Sequence, residues 1–399
     1  MFLIFPQILF MVWFSFWPFG GAPQEEAVES GLKKTSLEIP KDPAQFELIR
    51  ISLSKNLKEI TLSIPSRYQV RDSRGRPLFS GGKMVGTRIR PNESGIQIGA
   101  QVFFDSPLTI ETEGEGIKFD GKVYRHALKI WRQDAHKISV INEVPLEDYL
   151  KGVLSWEANP KWPIEALKAQ AVASRTYALF KAIENKDNPA QMSKDVLSQV
   201  YGGKNSENPA TDEAVRLTRG EVLTYNGKIF PAYFHSTCGG ATTHAEYMWD
   251  IAPHPSLKGV KCLFCMDSKH YRWSAELTPS EIRLKLRKTG HSVSGVENIE
   301  TADVDPSGRA RQIMITQPDG KTVKIRSNDF RLWMDPVKFK STLIESITQK
   351  DGRFIFKGRG WGHGVGLCQY GMKGLSDRGY TYEKILDYYY PESEIKNLS

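Results

Sequence analysis

Val144–Phe180, VPLEDYLKGVLSWEANPKWPIEALKAQAVASRTYALF, is the stretch from which the chain is read. Leu146, Leu150, Val153 and Glu157 recur at i, i+4, i+7 and i+11, one face of a helix entered from Val144-Pro145. The run Asn159-Pro160-Lys161-Trp162-Pro163 interrupts it. Pro163 is placed at the first position of a second helix, where its missing N–H costs nothing, and that helix is predicted to reach Ile183. On its wheel Ile164, Leu167, Ala171, Val172, Ala178 and Leu179 form an apolar stripe, and Lys168 and Arg175 lie inside it.

On the N-terminal side of this pair of helices the pattern changes to strands. ELIRISLS, EITLSI, GIQIGAQVFF, LTIET, ALKIWRQ and KISVIN alternate or carry β-branched clusters, separated by turns such as Asp120-Gly121. On the C-terminal side the elements are mixed. Asn226-Gly227 marks a hairpin, PSEIRLKLRK a helix, RQIMITQ and KTVKIRS strands, and TYEKILDYYY a short last helix. The expected class is α+β: a β-rich region over 46–136 followed by a mixed α/β domain over 137–399. Residues 24–45 contain Pro40 and Pro43 among polar residues and read as a linker.

Met1–Pro23 carries no charged side chain and is apolar from Phe2 to Phe19, at the border between a signal h-region and a spanning helix. It reads as an export segment, with a cleaved signal peptide and a membrane anchor both open. The expected location is the periplasm or cell envelope, with membrane contact only through this segment if it is retained.

The chain has 399 residues, 40% hydrophobic and 25% charged, which excludes a mainly disordered protein. A mean hydropathy of −0.41 excludes a polytopic membrane protein. With 54 Lys and Arg against 46 Asp and Glu the net charge is +8, spread along the chain. No zinc-finger spacing or RNA-recognition signature accompanies it, so no nucleic-acid partner is expected; cell-wall polyanions or anionic lipid are the alternatives to a plain basic surface.

Four groups of residues carry chemistry. Glu157 ends an apolar helical stripe, where burial and the negative end of the helix dipole both raise a carboxyl pKa. A carboxyl held protonated near neutral pH is a general acid; the plain alternative is a solvated residue where the stripe has ended. Lys168 and Arg175 on a packing face need partners: a substrate, Glu157, Asp148 or other structural ion pairs. In GRGWGHGVGLCQYG, Gly358, Gly360, Gly362, Gly364 and Gly366 alternate with Arg359, Trp361, His363 and Val365. Read as extended, this segment has one bare backbone face, for a flat ligand or for another backbone. Cys262 and Cys265 form a CxxC, Cys238 lies in HSTCGG, and Cys368 is far downstream. A structural zinc and disulfides are both open for them.

The run Val144–Phe180 resembles the stage II sporulation protein D (SpoIID/LytB) family, and FHSTCGGATTHAEYMW and GRGWGHGVGLCQYGMKGL…YEKILDYYYP resemble its later blocks, in order. The resemblance implies a SpoIID-type catalytic domain over 137–399. It implies a lytic transglycosylase that cleaves MurNAc–GlcNAc bonds of peptide-free peptidoglycan strands, leaving 1,6-anhydro-MurNAc ends. Glu157 matches the family's catalytic Glu, and Lys168 and Arg175 its basic positions, implied to bind or orient glycan. His235, Ser236, His363 and Gln369 are further groove candidates. No cofactor is required for this chemistry. Some members bind zinc through Cys and His shortly before a CQxY segment; the corresponding KDVLSQVYGG has neither, so that site is absent here. The family also includes amidase enhancers, which implies a cell-wall amidase as partner and, as an alternative function, non-catalytic glycan binding.

Overall fold

The computed structural model describes residues 35–40, 47–194, 199–249 and 251–398. The export segment read over 1–23 lies outside them, as does most of 24–45. Within that stretch Leu37 bridges to Ile229 through paired backbone bonds of 2.8 and 2.9 Å. Among the described residues no helix is long and apolar enough to cross a membrane.

The fold is α+β. The N-terminal strands build two sheets. In the first the spatial order is Met192–Ser193, Leu48–Leu57, Ile138–Pro145, Ala127–Arg132, Leu108–Glu111, Tyr68–Arg71 and Pro77–Gly81. Only Met192–Ser193 runs parallel to its neighbour. The second has the order Lys122–Tyr124, Ile117–Phe119, Ile60–Ile64, Met84–Pro91, Ile96–Ile98 and Gln101–Phe103. The segment GIQIGAQVFF, expected as one strand, is two, because Gly99 turns the chain back at φ +58°.

Ile138–Pro145 pairs with both Leu48–Leu57 and Ala127–Arg132 and runs directly into α1 (Leu146–Glu157). Sheet and helix share a core in which Ile49, Ile51, Ile130 and Val140 meet Leu150, Val153 and Leu154. Helix α1 stops after Glu157 because Ala158 is extended and Asn159 precedes a proline, which disfavours helical backbone. Helix α2 (Ile164–Glu184) begins one residue later than expected, with Pro163 as the extended flanking residue. It is buried around most of its circumference, not along one stripe. Its many alanines permit this, because α1 and the helices Pro209–Leu217, Gln369–Ser376 and Tyr382–Tyr389 all pack against it.

Helix α3 (Pro209–Leu217), capped by the Asn208 side chain, leads into the expected hairpin of Glu221–Tyr225 and Lys228–Ile229. Asn226 and Gly227 both have positive φ, 49° and 75°, as a type I′ turn requires. A third strand, Glu394–Asn397, returns from the C-terminus to pair with Glu221–Tyr225. After α4 (Ala245–Met248) the chain builds a third core. There α5 (Pro279–Lys288), with a complete Thr278/Glu281 capping box, and α6 (Ser327–Met334) cover two three-stranded sheets. Helices α7 (Gln369–Ser376) and α8 (Tyr382–Tyr389) return to α2. A short parallel pair, Phe234–His235 with Leu367–Cys368, sets the start of α7 against the HSTCGG loop.

Candidate active site around Glu157

Glu157 occupies the last position of α1 and is partly open to solvent. Burial nevertheless dominates its carboxyl, which is pushed up from its ordinary value to about 7. Two hydrogen bonds oppose that rise by favouring the ionised form: one from the Val200 N–H to Oε1 at 3.2 Å and one from the Gln369 side chain. The carboxyl is thus held in place by donors yet keeps a proton near neutral pH. Burial, with smaller contributions from the Glu184 and Glu157 carboxylates, pushes the Tyr177 hydroxyl up to about 12.

The basic residues stand elsewhere. Arg175 is 1% exposed, and its Nε and Nη2 donate to the two oxygens of Glu147 at 2.8 and 2.9 Å. Its remaining N–H groups go to Thr218 Oγ1, the Glu221 carbonyl and the Val215 carbonyl. Glu147 lies at the opposite end of α1 from Glu157, about 15 Å away at 1.5 Å per residue. Lys168 donates to Glu165 at 2.7 Å and lies over the Tyr382 ring. Neither cation forms the ion pair with Glu157 or Asp148 weighed from the sequence; Asp148 is bonded to His126 and Lys151.

The expected groove candidates assemble through the parallel strand pair. Gln369, at the start of α7, touches Glu157 and lies 3.4 Å from Gln170 Oε1 through its amide nitrogen. His235 and His363 stack edge to face at 5.5 Å. The His235 Nδ1 faces the Val365 carbonyl at 3.1 Å, which selects the tautomer with the proton there and leaves Nε2 as a buried acceptor without a partner among the described residues. Burial holds both imidazoles below the usual histidine range, His363 at about 3. Ser236 presents its carbonyl to the Tyr370 N–H, and its hydroxyl lies near Thr237 Oγ1. Beside Gln369, ring contacts run from Tyr370 to Trp162 and from Tyr370 through His270 to Trp361. These four rings are partly exposed.

Gly358 and Arg359 end the strand Arg353–Arg359, and beyond them the glycine run is not extended. Gly360, Gly362, Gly364 and Gly366 all have positive φ, so the chain winds and presents no flat bare face. A Cβ on Gly362 would lie 2.7 Å from His235 Cβ, and one on Gly366 would lie 2.1 Å from the Tyr233 carbonyl. The glycines serve close packing against residues 233–239, the second of the two alternatives the alternation allowed.

Sequence reasoning missed the polar face of α2. Gln170, Ser174 and Tyr177 recur at i, i+4 and i+7 among alanines, a pattern visible in AQAVASRTY. Gln170 donates to Ser174, and Gln199 bridges the Tyr149 hydroxyl and the Ser174 carbonyl. Gln170 also lies 3.4 Å from the Gln369 amide nitrogen, and the Gln369 side chain bonds Glu157. Val200, distant in sequence, carries no residue-type signal at all, because only its backbone is used. The four cysteines are buried and unbridged, and their sulfurs all lie within 4.8 Å of one another.

A family model described as stage II sporulation protein matches residues 134–225, and one described as a domain of unknown function matches 264–366. An uncharacterised protein of Brachyspira hyodysenteriae is 33% identical over 351 residues, covering 87% of this chain and 92% of its own. Stage II sporulation protein D of Bacillus subtilis is 31% identical over 273 residues, 64% of this chain and 75% of its own. The amidase enhancer of Bacillus subtilis is 30% identical over 285 residues, 61% of this chain and 39% of its own.

Proposed function

From the premise that the chain belongs to the stage II sporulation protein D family, we propose that it acts in the cell envelope as a peptidoglycan lytic transglycosylase. Its substrate is the peptide-free glycan strand, cut between MurNAc and GlcNAc. The observation that carries this reading is Glu157: a carboxyl near pKa 7, fixed by Val200 and Gln369 and partly open to solvent.

Protonated Glu157 donates its proton to the glycosidic oxygen as the bond to the MurNAc C1 breaks. The carboxylate left behind accepts the proton of the sugar's own C6 hydroxyl as that oxygen attacks C1 and closes the 1,6-anhydro ring. The proton balance is zero, no water is consumed, and one carboxyl suffices where hydrolytic glycosidases use two. The pKa serves both halves, since an acid near 7 gives and takes a proton at comparable cost. Gln369 orients the carboxyl. Lys168 and Arg175, occupied by Glu165 and Glu147, support the helices that present the groove.

A second reading rests on the relative named amidase enhancer: glycan binding that stimulates a partner amidase without catalysis. Product chemistry separates the two. The full chain is incubated with denuded glycan strands and the fragments are read by mass spectrometry. Fragments ending in 1,6-anhydro-MurNAc support the transglycosylase; reducing ends indicate hydrolysis; intact strands with faster cleavage by an added amidase indicate the enhancer.

A further inference from the structure

Cys238, Cys262, Cys265 and Cys368 come from three separate places in the chain. They follow the Phe234–His235 strand, form the CLFC turn, and cap the start of α7. All are at most 1% exposed, and every sulfur lies within 4.8 Å of the others, with Cys238 and Cys265 3.4 Å apart. Sulfurs about 2.3 Å from a central ion at tetrahedral angles are about 3.8 Å apart. Disulfides would instead draw two pairs to about 2.05 Å and leave the pairs free to separate.

The surroundings suit anionic sulfur. Cys368 Sγ accepts from the N–H groups of Cys238 at 3.2 Å and Gly371 at 3.3 Å, the latter in the first turn of α7. The Gly240 N–H approaches Cys238 Sγ at 3.5 Å, and the Tyr389 hydroxyl lies 3.1 Å from Cys262 Sγ. These donors stabilise thiolates. Arg309, also 1% exposed, buries its guanidinium alongside, with Nη2 donating to the Cys238 carbonyl at 2.6 Å and Nη1 to the Ala241 carbonyl at 2.8 Å. Its Nε has no partner among the described residues. A buried cation here offsets part of the negative charge that a tetrathiolate metal centre keeps.

We propose that these four cysteines form a structural zinc site, closed by four sulfur ligands with no open position for substrate. It uses no residue of KDVLSQVYGG, and it fastens the HSTCGG loop, the CLFC turn and the start of α7 to one another. Gln369 follows the ligand Cys368 directly, so the ion also fixes the base of the residue that touches Glu157. The zinc assignment does not depend on the transglycosylase reading.

The test uses the untagged full chain, purified under reducing conditions without added metal. Elemental analysis is expected to give about one zinc per chain, and X-ray absorption at the zinc edge four sulfurs at about 2.3 Å. Intact mass under denaturing, non-reducing conditions is expected to match four reduced cysteines. Cys262→Ser is expected to lose the zinc; because that variant can also fail to fold, cobalt reconstitution of the wild type supplies a second readout, the intense visible bands of tetrahedral sulfur-ligated Co(II). A mass lighter by the hydrogens of two disulfides, a metal-free folded chain with four titratable thiols, iron in place of zinc, or a zinc shell containing oxygen would each overturn the proposal.

Discussion

Arg175 donates to both carboxylate oxygens of Glu147 at the N-terminal end of α1, while Glu157 at the other end is held by Val200 and Gln369. One helix thus carries a paired glutamate and a glutamate with a raised pKa, and the difference lies in which end of α1 faces the Arg175 guanidinium. A cation within pairing distance of Glu157 would favour its ionised form and remove the acid.

Arg175 is therefore expected to matter for stability before chemistry. Arg175→Met leaves Glu147 without its bidentate partner and two carbonyls without donors, at a cost of about 3 kcal/mol. Arg175→Lys restores charge but not the fork and recovers only part of that. Denaturant unfolding measures both. At temperatures where the variants remain folded, KM for glycan strands is expected to stay near the wild-type value; a large KM rise in a fully folded Arg175→Lys would show that the side chain reaches substrate.

The raised pKa of Glu157 has a sign in both activity and stability. As a general acid it must be protonated, so kcat/KM is expected to fall as pH rises through about 7. Folded Glu157 binds its proton more tightly than the unfolded chain does. Ionising it therefore costs stability as pH rises from the ordinary carboxyl value through about 7. Relative to Glu157→Gln, the wild type is expected to lose about 2–3 kcal/mol across that window, read by denaturant midpoints at pH 4 and pH 8. Equal changes in both proteins would contradict the assigned burial.

Gln369→Ala removes a donor to the ionised form of Glu157. Its basic limb is expected to move to higher pH, because the carboxylate loses a stabilising hydrogen bond. The maximal rate is expected to fall about tenfold from lost orientation. A pH–rate profile separates this from simple damage, which lowers the curve without moving it.

Gly362→Ala tests the packing of the glycine-rich segment. A Cβ there lies 2.7 Å from His235 Cβ, at φ +111°. Left-handed strain and overpacking together predict a loss of about 2–4 kcal/mol, measured by thermal or denaturant unfolding. A stable variant would mean that the segment has room to move.

The α+β class was legible because Ile, Val and Leu alternate through Leu48–Ile64 and Ile138–Val144 and then switch to helical spacing at Leu146. Glu157 was legible because it falls on that helical face. Two readings left open have one origin: a local pattern cannot show what approaches from elsewhere. The alternation of Gly358–Gly366 looked like a strand, but only Gly358 and Arg359 lie in one; from Gly360 onward the glycines take positive φ where the chain packs closely on Tyr233, His235 and Arg309. The stripe containing Lys168 and Arg175 allowed several partners, and only the packing of α1 and α3 against α2 selects Glu147 for Arg175. The strand Glu394–Asn397 is a half-exposed edge with a single apolar residue, Ile395, and so carries almost no periodic signal.

The central claim is that Glu157 performs the bond cleavage. Its most direct test compares the full chain with Glu157→Gln on denuded glycan strands, with folding of both checked by circular dichroism and products read by mass spectrometry. The expected result is 1,6-anhydro-MurNAc ends from the wild type and a loss of at least about a hundredfold in the variant, the scale of a removed general acid. Cleavage by folded Glu157→Gln at the wild-type rate would contradict it.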